Sequence, residues 1–213
     1  MKSYNVKFIK EDSLVINGKG DHMLWGKAEV LSDFVSAWDR RPNSRIEFRS
    51  LWDSKKLFFY FKVYDSQVLI NKEDDSVQSI GNSDRVELFF KMNDSLNPYY
   101  CIEIDPTSRI LDFRANAKRK FEFDWNWPKN ELVVKSNIKC NYFTVEGSIT
   151  INSLEELGLI KNYKIETGIF RAKYSKTENC NYESTWISWV NPNTQYPNFH
   201  TSSSFGVLNL LDQ

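Results

Sequence analysis

Apolar and polar residues alternate with period two through most of this chain, and that pattern demands β-strands with one face buried. In Arg45–Trp52, Ile46, Phe48 and Trp52 share one face while Arg45, Glu47 and Arg49 share the other. Arg85–Met92 places Val86, Leu88, Phe90 and Met92 together, and Tyr100, Ile102 and Ile104 repeat the pattern with Cys101, Glu103 and Asp105 opposite. The first half of Leu57–Asp65 is apolar on both faces, as a central strand covered on both sides requires. Arg109–Ala115, Glu131–Ile138, Tyr142–Ile151, Tyr163–Tyr174, Thr185–Val190 and Phe205–Leu210 complete the set. Turn chemistry separates them at Asp53-Ser54, Asn93-Asp94-Ser95, Asp105-Pro106-Thr107-Ser108 and Asn191-Pro192-Asn193.

One short helix is predicted. Ser153-Leu154-Glu155-Glu156 fits a capping box, and Gly158 suits the stop. About ten strands and one helix imply an all-β fold: an antiparallel two-sheet β-sandwich of jelly-roll or immunoglobulin-like architecture. No linker or repeat divides residues 1–213, so a single domain is expected, with residues 1–40 wrapping the sandwich. A chain of 213 residues buries a substantial core without disulfide help. Cys101, Cys140 and Cys180 are odd in number, widely spaced and lack a CxxC pair, so they read as inert thiols.

Charge narrows the function. The 28 Lys+Arg and 28 Asp+Glu cancel, which removes the overall field that draws basic proteins to nucleic acid or anionic membranes. Neither partner is expected. The N-terminus has no apolar run of signal-peptide length, which predicts a cytoplasmic chain or a mature secreted or periplasmic form. Walker, GxGxxG, HExxH and GxSxG motifs are missing, and His22 and His200 are the only histidines. Glu103 with Asp105, or Glu122, offers a carboxylate pair of the kind a small glycoside hydrolase uses. No cofactor motif is present. Calcium through oxygen ligands has one candidate, Glu73-Asp74-Asp75.

The aromatic content, 15%, says more. The segment Phe121-Glu122-Phe123-Asp124-Trp125-Asn126-Trp127-Pro128 alternates aromatic with polar residues after a basic run, Lys118-Arg119-Lys120. Trp186, Trp189, Tyr196 and Phe199 form a second group, followed by His200. Sugar rings have apolar C–H faces and hydroxyl edges, so a sugar site needs flat aromatic platforms beside hydrogen-bonding side chains. Both groups supply that mixture.

The order Ser50-Leu51-Trp52-Asp53, Leu57–Asp65, Ser83-Asp84-Arg85-Val86-Glu87-Leu88-Phe89-Phe90 resembles the progression in family 9 carbohydrate-binding modules and their DOMON-related relatives. Leu111-Asp112-Phe113-Arg114, Gly168–Ala172 and Phe205-Gly206-Val207-Leu208 continue it, from about Ile16 to Leu210. The resemblance implies a β-sandwich that binds a saccharide or polysaccharide without catalysis, a possible link to polysaccharide-degrading partner enzymes, and room for structural calcium. It implies a basic contact at Arg114 and aromatic groups at Trp186 and Trp189. The residues themselves add Glu103, Asp124 and His200 as expected ligand contacts and Trp125 and Trp127 as further aromatic groups, with Trp127 and Trp189 expected to stack on the rings. The loop Leu69–Ser83 lacks the tryptophan that binding members often place there. A grip between two tryptophans therefore does not carry over intact. Either Trp125 or Trp127 replaces the missing wall, or the fold is an interaction domain that has lost its sugar site.

Overall fold

The computed structural model describes residues 1–39, 44–177 and 182–212. They form strands β1 (Ser3–Phe8), β2 (Ile46–Trp52), β3 (Lys56–Tyr64), β4 (Arg85–Lys91), β5 (Tyr99–Ile104), β6 (Ile110–Ala115), β7 (Phe121–Glu122), β8 (Leu132–Lys139), β9 (Tyr142–Thr150), β10 (Ile160–Lys161), β11 (Lys164–Lys176), β12 (Tyr182–Ser188) and β13 (Gly206–Leu210). Two short helices, α1 (Val77–Gly81) and α2 (Ile151–Glu156), join them. None is long and apolar enough to cross a membrane.

The strands build an all-β sandwich. One sheet runs β7-β6-β5-β4-β11-β13-β1, with β10 and β12 also paired to β11. The other runs β1-β2-β3-β9-β8. Strand β1 belongs to both: Ser3–Val6 pair with β13, then Lys7 and Phe8 pair with β2. Both β1 pairings are parallel, whereas the other pairings are antiparallel as expected. The alternation of Tyr4, Val6 and Phe8 was the available sign of this strand, but a six-residue strand among charges gives a weak signal.

The core between the sheets follows the alternation. Val86, Leu88, Phe90, Ile102 and Ile104 from the first sheet meet Phe48, Phe59, Phe61, Phe143 and Val145 from the second. Each such side chain stabilises the fold by roughly 1.5–3 kcal/mol relative to an exposed one. Strand β3 is covered on both faces as predicted: Phe58 and Tyr60 point outward beneath Leu14, Ile16 and Trp25 of the N-terminal segment. Trp25 Nε1 donates to Glu146 Oε1 at 2.6 Å, which fastens that segment down.

The outer face of the first sheet is also roofed. Phe89, Cys101, Phe113 and Phe170 lie beneath Ile80 of α1 and beneath Phe199 and Phe205. Phe199 stacks on Phe170 with ring centroids 4.1 Å apart. This roof has a direct consequence for the site, because residues expected on an open sheet face lie under it.

Helix α2 begins one turn earlier than the capping-box pattern predicts. Thr150 is the cap and accepts from Ser153 N, while Ser153 is buried. Gly158, at φ +68°, ends the helix as expected. Helix α1, capped by Ser76, was not expected, because five residues carry no readable period. Cys101 is buried and Cys140 exposed, both as free thiols; Cys180 lies outside the described residues.

Candidate functional site

The edge strand pair β6–β7 carries the open site. Arg114 lies opposite Glu122 and Ala115 opposite Phe121. Arg114 Nε donates to Glu122 Oε2 at 2.6 Å on the exposed surface. Beyond β7 the chain turns back: Trp125 N donates to Glu122 O, and Asp112 on β6 accepts from Asn126 Nδ2 and from Trp127 N. These bonds hold the loop against the sheet edge. Trp127 then enters the core, where Nε1 donates to Ser153 Oγ at 3.1 Å and the ring meets Phe90 edge-on.

That anchoring opens a trough of about 600 Å³ lined by Arg114, Lys120, Phe121, Glu122, Phe123, Asp124 and Trp125. Phe123 is 42% exposed. Its ring and that of Phe121 rest on Phe113, at centroid distances of 5.0 and 5.6 Å. Trp125 leans on Tyr100 at 5.0 Å and is partly exposed. The trough thus combines flat apolar rings with two cations and two carboxylates. Such a surface fits a ligand with apolar faces and hydroxyl edges.

A recess of about 70 Å³ adjoins it, lined by Arg119, Trp186, Pro197, Asn198, Phe199 and His200. Phe121 joins the two, since its ring centroid is 5.0 Å from that of His200. His200 stacks on Phe89, and its Nδ1 lies 2.8 Å from Tyr99 Oη. Burial lowers its pKa to about 4, and the charges of Arg119 and Arg85 push the same way.

The expected residues therefore separate into two groups. Arg114, Asp124 and Trp125 line the trough; Trp186 and His200 line the recess. Trp127 and Trp189 do not serve as stacking platforms. They are 5% and 2% exposed and belong to the core between the sheets. Trp189 fits only because position 206 is glycine: a Cβ there would lie 2.5 Å from its ring.

Glu103 is likewise no surface hydroxyl contact, being 6% exposed beneath the roof. Arg85 Nε lies 2.6 Å from Glu103 Oε2 and 2.9 Å from Glu87 Oε1. The Glu87 contact is ionic and not aligned as a hydrogen bond, since both of its atoms lack a hydrogen-bond partner. The guanidinium also sits 5.6 Å from the ring centroids of both Tyr174 and Trp186. One cation faces two buried carboxylates, so burial and the neighbouring Glu103 push Glu87 up to about 8. Burial raises Glu103 as well.

Of the carboxylates considered for a hydrolase, Glu103 and Asp105 are both buried. Asp105 lies in the turn after β5, where Oδ1 accepts from Thr107 N and Arg109 N and Oδ2 accepts from Arg109 Nε. The acidic run Glu73-Asp74-Asp75 does not fit calcium either. Asp74 Oδ1 accepts from Ser76 N and Oγ, and Asp75 faces Arg109 at 3.5 Å. Among the described residues no three His, Cys, Asp or Glu side chains converge as a metal site requires.

Phe121, Glu122 and Phe123 line the trough but were not singled out as ligand contacts. Their alternation with Asp124 and Trp125 was the legible sign. Arg119 stands in the basic run and Asn198 beside Phe199 and His200, but only the fold brings those two loops together.

The chain is thus a two-sheet sandwich bearing an open polar and aromatic trough at one sheet edge. The chain matches the model of the family described as carbohydrate family 9 binding domain-like over residues 16–213, and it belongs to that family. None of the curated proteins matches it significantly. Among solved structures it is similar to an inferred carbohydrate-binding protein from Bacteroides uniformis ATCC 8492, at 16% identity and a TM-score of 0.76, covering 99% of each chain. It is also similar to a family 9 carbohydrate-binding module from Caldicellulosiruptor kristjanssonii. The complex of that module with glucose gives 18% identity and a TM-score of 0.61, covering 100% of this chain and 97% of the other. Its complex with cellotriose gives 18% identity and a TM-score of 0.62, covering 100% and 95%. At these identities the likeness concerns the fold.

Proposed function

We propose that this chain is a noncatalytic saccharide-binding domain whose ligand lies in the β6–β7 trough. The observation that carries the reading is the convergence of Phe121, Phe123 and Trp125 with Arg114, Glu122 and Asp124 on one open surface. The rings take the apolar faces of sugar units. The charged side chains exchange hydrogen bonds with the hydroxyls. Membership of a carbohydrate-binding domain family supports this, as do the glucose and cellotriose bound by the Caldicellulosiruptor module. The trough is open enough for an oligosaccharide to cross it. Such a domain serves a polysaccharide-degrading partner enzyme by holding it on its substrate.

Aromatic contact is partly offset by ordering and desolvation, so a single site binds with about micromolar to millimolar Kd, roughly −8 to −4 kcal/mol. Glycan arrays followed by calorimetry test this. Trp125→Ala and Phe123→Ala should each weaken binding by about ten-fold or more, equivalent to about 1.4 kcal/mol. Wild-type protein that binds no mono-, oligo- or polysaccharide would overturn the reading.

A further inference from the structure

The turn between β6 and β7 carries Lys118, Arg119 and Lys120 in succession, beside both the trough and the recess. Asn116 fixes this turn. Its Oδ1 accepts from Lys118 N at 3.0 Å and Lys120 N at 3.4 Å, and its backbone oxygen accepts from Arg119 N at 2.8 Å. Arg119 adopts a left-handed conformation, φ +57°, that aims its guanidinium over the Phe121 ring at 5.9 Å.

The carboxylates nearby are engaged apart from Asp124, which is outnumbered by the three cations of the turn. Glu122 is paired with Arg114, and Asp112 accepts from Asn126 and Trp127. Among the described residues, no ion pair joins Lys118, Arg119 or Lys120 to an acid. In a chain with zero net charge, three consecutive uncompensated cations at the mouth of a ligand trough form a local positive field. The recess reinforces it. At about 70 Å³ it is far smaller than the trough and has room for a carboxylate-sized group. Arg119 and Asn198 in its lining carry donors suited to anionic oxygens.

We infer that the preferred ligand is an anionic saccharide, its ring on the Phe121–Trp125 surface and its negatively charged substituent in the recess against Arg119. This rests on the proposed sugar site and narrows its ligand class. A carboxylate, as in uronic acids, and a sulfate share the chemistry; the planar guanidinium suits either as a two-point partner.

Calorimetry with trigalacturonate, a sulfated galacto-oligosaccharide and cellotriose, at about 20 mM and about 300 mM salt, tests the inference. At low salt at least one anionic ligand should bind about ten-fold tighter than cellotriose, and the gap should narrow at high salt. Arg119→Asn, which keeps the left-handed backbone favourable, should cost that anionic ligand about ten-fold more than it costs cellotriose. Thermal melting confirms that the variant is folded. Equal, salt-insensitive binding of neutral and anionic ligands would overturn the inference while leaving the sugar site intact, as would an Arg119→Asn loss shared equally by both. Absence of binding to all three and to every glycan on the array would remove the sugar site itself, and the inference with it.

Discussion

Trp125 and Trp127 stand two residues apart in one loop and do opposite things. Trp127 is locked in the core by Ser153, Phe90 and Tyr100, while Trp125 leans on Tyr100 and Trp127 from outside and keeps part of its ring in the trough. The same contrast holds between whole regions. Under the roof of the first sheet, Arg85, Glu87 and Glu103 form a sealed ionic cluster. Past the roof, at the β6–β7 edge, Arg114, Glu122 and Asp124 use the same functional groups in the open. Chemistry-bearing residue types are thus a poor guide to function here. What separates sealed from open groups is whether the facing sheet, the Phe199–Phe205 segment or α1 covers them.

The contrast can be broken most strongly at Trp127. Trp127→Ala removes a buried indole, and denaturant unfolding should show a loss of about 3–5 kcal/mol. Trp125→Ala should cost less than half of that, because its ring is only partly buried, while its effect on sugar binding is the greater one. Equal stability losses would show that the two rings are not divided between core and site.

A pH series sharpens the contrast next. His200 has its pKa lowered from 6.5 to about 4, so the stability it contributes is present above pH 6.5 and is lost as pH falls toward 4. The full span corresponds to about 3 kcal/mol. Glu87 acts in the other direction. Its pKa is raised from 4.5 to about 8, so its contribution is present below about pH 4.5 and is lost as pH rises through 8. Unfolding free energies across pH 4–9 should fall at both ends, and Glu87→Gln should flatten the alkaline side. An alkaline side unchanged in that variant would place the titrating group elsewhere.

The smallest effect belongs to the open pair. Glu122→Gln breaks the exposed Arg114–Glu122 bridge and should change the melting free energy by less than about 1 kcal/mol. A larger loss would mean that the trough edge is structural in the way the sealed cluster is.

Much of the sandwich was legible because burial on one face of a strand writes period two into the chain, as in β4 and β5. Strand β1 and helix α1 were not, because segments of six and five residues give too few periods to read. The residues of the proposed site were legible in part. Arg114, Asp124 and Trp125 lie close in sequence on a hairpin and its following loop, so their convergence follows from local structure. Glu103 and Trp189 misled because alternation tells which face a residue takes and not whether something covers that face.

The sequence by itself determined the strand periods, the turn positions, the neutral charge and the aromatic and basic run from Lys118 to Trp127. Only the tertiary structure decided which aromatics are walls of the core and which line the trough. The reason is physical. Local pattern fixes side-chain direction over a few residues, whereas solvent exposure depends on distant segments: Phe199 closing over Phe170, and Trp189 resting on Gly206.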